Sequence, residues 1–173
     1  MPPGAQSLQL PEVLPTIDPE LGALVRQELE RHDVRVLIGG DRTFEGSLGT
    51  QIVKVFDLAV GGTGLRDHEA ESAGPAPVTV ESREPDRKRY YPGAQEIAIR
   101  VTGDRSTNRL LGAQLVGGLG AEVPKRLDIF AAALHHSSTV DGLNDLDLSY
   151  TPRFGSPWDA VLLAAQAWTA VEI

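Results

Sequence analysis

Cysteine is absent from this 173-residue chain, which excludes disulfides, thiolate metal sites and any thiol chemistry performed by the chain itself. Aromatic residues are scarce, with two tryptophans, three tyrosines and four phenylalanines. Each one placed at a turn therefore carries information. Positive charge is in deficit: 16 Lys and Arg stand against 24 Asp and Glu, for a formal net charge of -8. A nucleic-acid partner needs a concentrated basic face to neutralise phosphates, and the one basic cluster, "DRKRYYPG", is short and follows acidic residues. No apolar run approaches the length of a membrane span, and the start "MPPGAQSLQLPEV" has neither the basic nor the apolar region of a secretory leader. The expectation is a cytoplasmic protein with no nucleic-acid and no membrane partner.

What is present suits one soluble domain with an appendage, since 41% hydrophobic and 23% charged residues match ordinary globular usage. Residues 1 to 16 are rich in proline and small polar residues and read as an irregular lead-in. Asp18 and Pro19 then fit a helix start, with Leu21, Leu24, Val25 and Leu29 on one face. "VRVLI" (34 to 38) reads as a short strand stopped by Gly39 and Gly40. The apolar, β-branched run "TQIVKVFDLAV" (50 to 60) predicts one longer strand, ended by "GGTG".

Residues 66 to 73 predict a short helix. "GPAPVTVES", "QEIAIRVTGD" and "RLLGAQLVG" predict three strands, the last two joined by a turn over Asp104 to Asn108 and so paired antiparallel. After Gly120 the period becomes helical, with Pro124 near the start and Leu127, Phe130, Ala131 and Leu134 at helical spacing. Ser138 to Asp141 and "SPWD" (156 to 159) fit capping boxes for two further helices, the second ending near Trp168. Strands followed by helices imply an α+β fold: a central antiparallel sheet of about four to five strands flanked by helices.

Candidate chemistry is sparse. His135 and His136 are adjacent, so on a helix they point apart and cannot share one ion. They fit a favourable position near a helix C-terminus better than a metal site. "LVGGLGAEVPKR" runs from a strand through Gly118 and Gly120 to a helix start carrying Lys125 and Arg126. Such a segment either holds an anion on backbone N–H groups or is a tight turn whose glycines relieve strain. Its spacing is neither that of the dinucleotide fingerprint nor that of a P-loop. Asp141, Asp145, Asp147 and Asp159 lie where acids cap helices or face solvent, and none is assigned a catalytic role. "RYYPGAQ" (89 to 95) puts Tyr90 and Tyr91 at a turn entering a strand, where amphipathic rings either fill a core edge or cover a ligand or partner. Tyr150 has a similar setting.

From about Phe44 to Ala170 the stretches "GSLGTQIVKVFDL", "TGL", "YYPG", "RLLGAQLVG", "KRLDIFAAAL", "TVDGL", "DLDLSYTP" and "SPWD" occur in an order and spacing that resemble one family. It is the C-terminal dimerisation domain of the flavin-dependent pyridine nucleotide-disulfide oxidoreductases, in the branch of coenzyme A-disulfide reductases and NADH oxidases. Residues 8 to 38 resemble an earlier part of that family, the piece of the NAD(P)H-binding domain after its glycine loop. The join falls within "GGDRTFEG". The resemblance thus implies a division into residues 1–43, a lead-in and remnant, and residues 44–173, the dimerisation domain.

The resemblance further implies a homodimer. Its buried apolar face would include Phe130, Leu134, Leu146, Leu148 and Trp158. Tyrosines of one subunit reach the active site of the other in coenzyme A-disulfide reductases, where they help hold and protonate the leaving thiolate. By position Tyr150 matches one of these and Tyr90 or Tyr91 the other. FAD and NAD(P)H are implied for the full-length family, but the redox cysteine and the glycine loops for FAD and NAD are not in this sequence. The chain alone is expected to bind no cofactor and to have no redox activity. Two alternatives stand beside this module: a subunit completing the site of a flavoprotein partner, and a binding module for coenzyme A-type ligands using Gly118, Gly120, Lys125 and Arg126.

Overall fold

The computed structural model describes residues 46–73 and 76–171. The expected helix after Asp18 and the strand at 34 to 38 lie outside the described residues. Five strands form one sheet in the order β1-β2-β5-β4-β3, every neighbouring pair antiparallel. The strands are β1 (Gln51–Val55), β2 (Leu58–Gly64), β3 (Pro77–Pro85), β4 (Glu96–Asp104) and β5 (Leu110–Gly118). The helices are α1 (Asp67–Ala73), α2 (Val123–His135), α3 (Val140–Asn144) and α4 (Ala160–Thr169). The α+β expectation therefore holds.

One strand assignment is corrected. The run 50 to 60 is a hairpin: Val55 pairs with Leu58 across the two-residue turn Phe56-Asp57, and Phe56 takes a φ of 52°. A tight antiparallel turn demands such a left-handed residue, at a cost on the order of 1 kcal/mol for a side chain without glycine's freedom. The expected terminator "GGTG" lies inside β2. Its glycines serve packing, since a methyl group on Gly61 would sit 2.7 Å from Leu127 Cδ2. Glycine there lets α2 approach the sheet.

Period-two alternation on β4 and β5 turns Ile97, Ile99, Val101 and Leu115 toward the helices, and all four are fully buried. Helix α2 lies over β2 and β5 and helix α4 over β3 and β4, while α3 packs against α4. Between these layers sit Leu127, Phe130, Val161 and Trp168, each worth about 1.5–3 kcal/mol or more on burial. The Trp168 indole N–H donates to Val78 O at 2.8 Å, fastening the end of α4 to the edge strand β3.

Three further expectations shift. Thr139, not Ser138, caps α3, its hydroxyl accepting from Gly142 N at 3.0 Å. Asp159 caps α4, accepting from Val161 N at 3.1 Å, so Ser156 stands outside the cap. Phe130, expected on a partner-facing surface, is fully buried in the chain's own core. Its helical spacing with Leu127 marks the face toward the sheet.

Candidate functional site

The register of the sheet gathers several segments at one end. The Phe56-Asp57 turn, the C-terminus of β5, the N-terminus of β4 and the C-terminus of β3 all meet there, because Leu58 pairs with Gly118, Ile97 with Gly117 and Glu96 with Pro85. Leu119 N donates to Asp57 O at 3.3 Å, and α2 begins just beyond. Most of the exposed large apolar side chains among the described residues belong to segments tied to this end: Phe56 (89% exposed), Tyr90 (75%), Trp158 (59%), Phe154 and Leu119, with Tyr150 at 43%. The sequence singled out the tyrosines and Trp158. It missed Phe56 because the hairpin was hidden, and Phe154 because nothing in its neighbourhood separates a surface ring from a core one.

The first tyrosine loop, residues 86 to 95, is closed by its own backbone. Asp86 N donates to Gln95 O at 2.9 Å, and Gln95 N donates to the buried Asp86 carboxylate at 2.8 Å. Inside it Tyr91 N donates to Lys88 O and Ala94 N to Tyr91 O, with Gly93 at a φ of 78° that glycine alone adopts freely. The second loop carries Tyr150 and tightens where Phe154 N and Gly155 N both donate to Thr151 O at 3.0 Å. Lys125 Nζ donates to Phe154 O at 3.2 Å and pairs with Glu122.

The glycine turn is in part occupied by the chain's own groups. Its Ala121 N–H is used on Gly118 O, and the Gln95 side chain lies across it, with Oε1 against the place where a Cβ on Gly118 would stand. Two carbonyls of the turn face cations: Gly120 O accepts from Arg87 at 2.8 Å and Ala121 O from Arg126 at 2.8 Å. Arg126, expected to bind ligand, is instead fully buried. Its Nε and Nη2 grip both oxygens of Asp159 at 3.0 and 2.9 Å, and Nη2 also donates to Asp86 O. A buried guanidinium so committed has no charge left for a phosphate.

Among the dimer-face expectations, Leu146 is exposed and Trp158 more so, Leu134 and Leu148 are half-buried against the core, and Phe130 is internal. His135 and His136 meet edge to face at 5.0 Å at the far end of α2. No cluster of three or more His, Asp or Glu among the described residues is placed to hold a metal. The carboxylates held well below their ordinary range lie elsewhere. Glu69 is lowered to about 2 by the Arg66 guanidinium and backbone N–H, and Asp104 to about 2 by the Thr107 and Ser106 hydroxyls and the Ser106 N–H. Both stabilise local turns. The described sheet is wholly antiparallel and its glycine turn is engaged, so these residues do not fit the pyrophosphate of a flavin or dinucleotide. No described helix is long and apolar enough to cross a membrane.

Residues 50–160 match the sequence profile described as the pyridine nucleotide-disulphide oxidoreductase dimerisation domain. An NAD(P)H sulfur oxidoreductase (CoA-dependent) of Pyrococcus furiosus is 38% identical over 130 residues, which cover 75% of this chain and 29% of that protein. A coenzyme A disulfide reductase of Staphylococcus epidermidis is 32% identical over 120 residues, 69% of this chain and 26% of the relative. An NAD-dependent persulfide reductase from A. fulgidus superimposes with a TM-score of 0.73 at 35% identity, over 78% of this chain and 25% of the other. The chain thus spans less than a third of the length of these relatives.

Proposed function

The chain belongs to the pyridine nucleotide-disulphide oxidoreductase family by its dimerisation domain, and from that premise we propose that it is a self-associating module without redox activity of its own. In this reading residues 44–173 are the module and residues 1–43 a remnant of the NAD(P)H-binding domain. The observation that carries the proposal is the end of the sheet where Tyr90, Tyr150, Phe154, Trp158 and Phe56 stand exposed, although the domain already has a complete core. Ordered aromatic side chains left in water favour a partner surface. A second copy meeting this end about a two-fold axis would bury it twice.

FAD and NAD(P)H chemistry belongs in this proposal to sequence this chain does not carry. The described residues contribute surface, orientation and tyrosine hydroxyls. Size exclusion with light scattering, read also at flavin wavelengths, tests the reading. A colourless dimer is expected. A monomer at high concentration, or a yellow protein that oxidises NADH, overturns it.

The exposure of Tyr90 and Tyr150 favours one second reading, in which the chain completes the site of a flavoprotein partner. Tyr150, with Tyr90 or Tyr91, would there lie against a coenzyme A-type thiol, since two of the relatives are named for coenzyme A. Added flavoprotein would then gain turnover that Tyr150→Phe removes. Unchanged turnover rejects this reading while leaving the dimer untouched. The third expectation, a free-standing coenzyme A module on the glycine turn, loses one of its two cations with the burial of Arg126, while Lys125 is paired with Glu122.

A further inference from the structure

We propose that Arg126 is a positioning residue that couples the two tyrosine loops into one rigid unit. The proposal deepens the reading above and rests on it only for the use made of the tyrosines.

Arg126 lies in the first turn of α2, where a cation ordinarily faces solvent, yet it is fully buried. Each of its three partners lies in a connecting segment outside the helices and strands. Asp86 O begins the Tyr90/Tyr91 loop, the Asp159 carboxylate ends the Tyr150 loop, and Ala121 O belongs to the glycine turn between them. Both aspartates are themselves buried and extend the network in opposite directions. The Asp86 carboxylate takes Gln95 N at the far end of its loop and Arg87 Nε, whose Nη2 returns to Gly120 O. The Asp159 carboxylate takes Val161 N and so fixes the start of α4. The neighbouring Lys125 adds a tether on Phe154 O within the second loop.

Arginine alone among the side chains suits this place. Its planar fork meets one carboxylate through two parallel bonds and still presents N–H groups to two carbonyls in other directions. A lysine ammonium, a single point on a flexible stem, cannot hold three separate segments in fixed orientation. Movement of either loop must therefore break contacts at the same guanidinium, and neither loop relaxes without disturbing the other.

The test reads both loops at once. With 3-fluorotyrosine at its three tyrosines, the chain gives three fluorine lines that Tyr→Phe variants assign. Asp159→Asn keeps a good helix cap but removes the charge holding the guanidinium. Shifts in the Tyr150 line and in at least one of the Tyr90 and Tyr91 lines are expected. A shift confined to Tyr150 overturns the proposal.

Should Asp159→Asn fail to fold, hydrogen exchange of the unaltered chain decides. The Gln95 and Val161 amides, bonded to Asp86 and Asp159, should exchange within about threefold of each other and respond alike to denaturant, as parts of one opening unit. Rates more than about tenfold apart with different denaturant responses mean two independent loops. Neither measurement needs an added flavoprotein, and both are compared at concentrations above and below the Kd of self-association, so the coupling stands or falls apart from the dimer.

Discussion

Replacing Trp158 with aspartate tests whether the exposed aromatic end carries self-association. Trp158 is 59% exposed on the single chain. A tryptophan offers up to about 250 Å² of surface, so roughly 150 Å² is available for burial by a partner. At about 25 cal/mol per Å² the area is worth about 3–4 kcal/mol. Ordering and imperfect polar pairing reduce the usable part to about 2 kcal/mol per protomer. A two-fold interface contains the residue twice, so Trp158→Asp should weaken the dimer by about 4 kcal/mol, close to a thousandfold in Kd. Sedimentation equilibrium across a dilution series reads the constant. His136→Gln, an exposed change at the opposite end of α2, is the control and should leave it alone. A Kd for Trp158→Asp within about threefold of the unaltered chain, which corresponds to under 1 kcal/mol, would show that the partner surface lies elsewhere.

Three further outcomes follow from the packing. Arg126→Met strands the buried Asp159 carboxylate and two carbonyls, and should cost about 3–5 kcal/mol in urea unfolding followed by tryptophan fluorescence; a loss under about 1 kcal/mol would mean that the pair is solvated. Asp104 ionises near 2 instead of near 3.8, so its contribution is fully present above the ordinary value and drains away as pH falls from there toward 2. Asp104→Asn should flatten that acid limb in a series of thermal melts, whereas an unchanged pH dependence would assign the acid loss to other groups. Gly103→Ala would bring a methyl group to 2.6 Å from Trp168 Cζ2 and 2.9 Å from Val140 Cγ2. An overpacking cost of about 1–3 kcal/mol, with altered Trp168 emission, is expected in the same unfolding assay, and a neutral result would show that α4 yields freely.

The periodic elements were legible because their signals are local. Alternating Ile97, Ile99 and Val101 announce a half-buried strand, and Asp104 with Ser106 and Thr107 announces the turn that follows. The hairpin at Phe56 was not legible, since its turn uses a phenylalanine where glycine or asparagine is the usual mark. Arg126 was misread for a different reason. A cation in the first turn of a helix next to glycines looks like an anion site, and only partners forty residues upstream and thirty-three residues downstream reveal a side chain consumed internally. The tyrosines drew notice through their scarcity, but their exposure is a property of the assembled end, where Phe56 and Phe154 join them.

The buried arginine also bears on why the aromatic end stays open in a single chain. Exposed rings on slack loops would be drawn toward one another or onto the nearest apolar surface, which here includes the Phe56 hairpin and Leu119. Fixing both loops to one guanidinium opposes that collapse, at the expense of burying a charge whose net contribution to stability is small. An apolar cluster in its place would serve stability as well, yet would not dictate the direction of two loops. The glycine turn has the complementary part: the close approach of Gln95 at Gly118 and the carbonyls offered by Gly120 and Ala121 give Arg87 and Arg126 their anchor. A segment that reads as a ligand cradle thereby becomes the hub on which the presentation of the tyrosines depends.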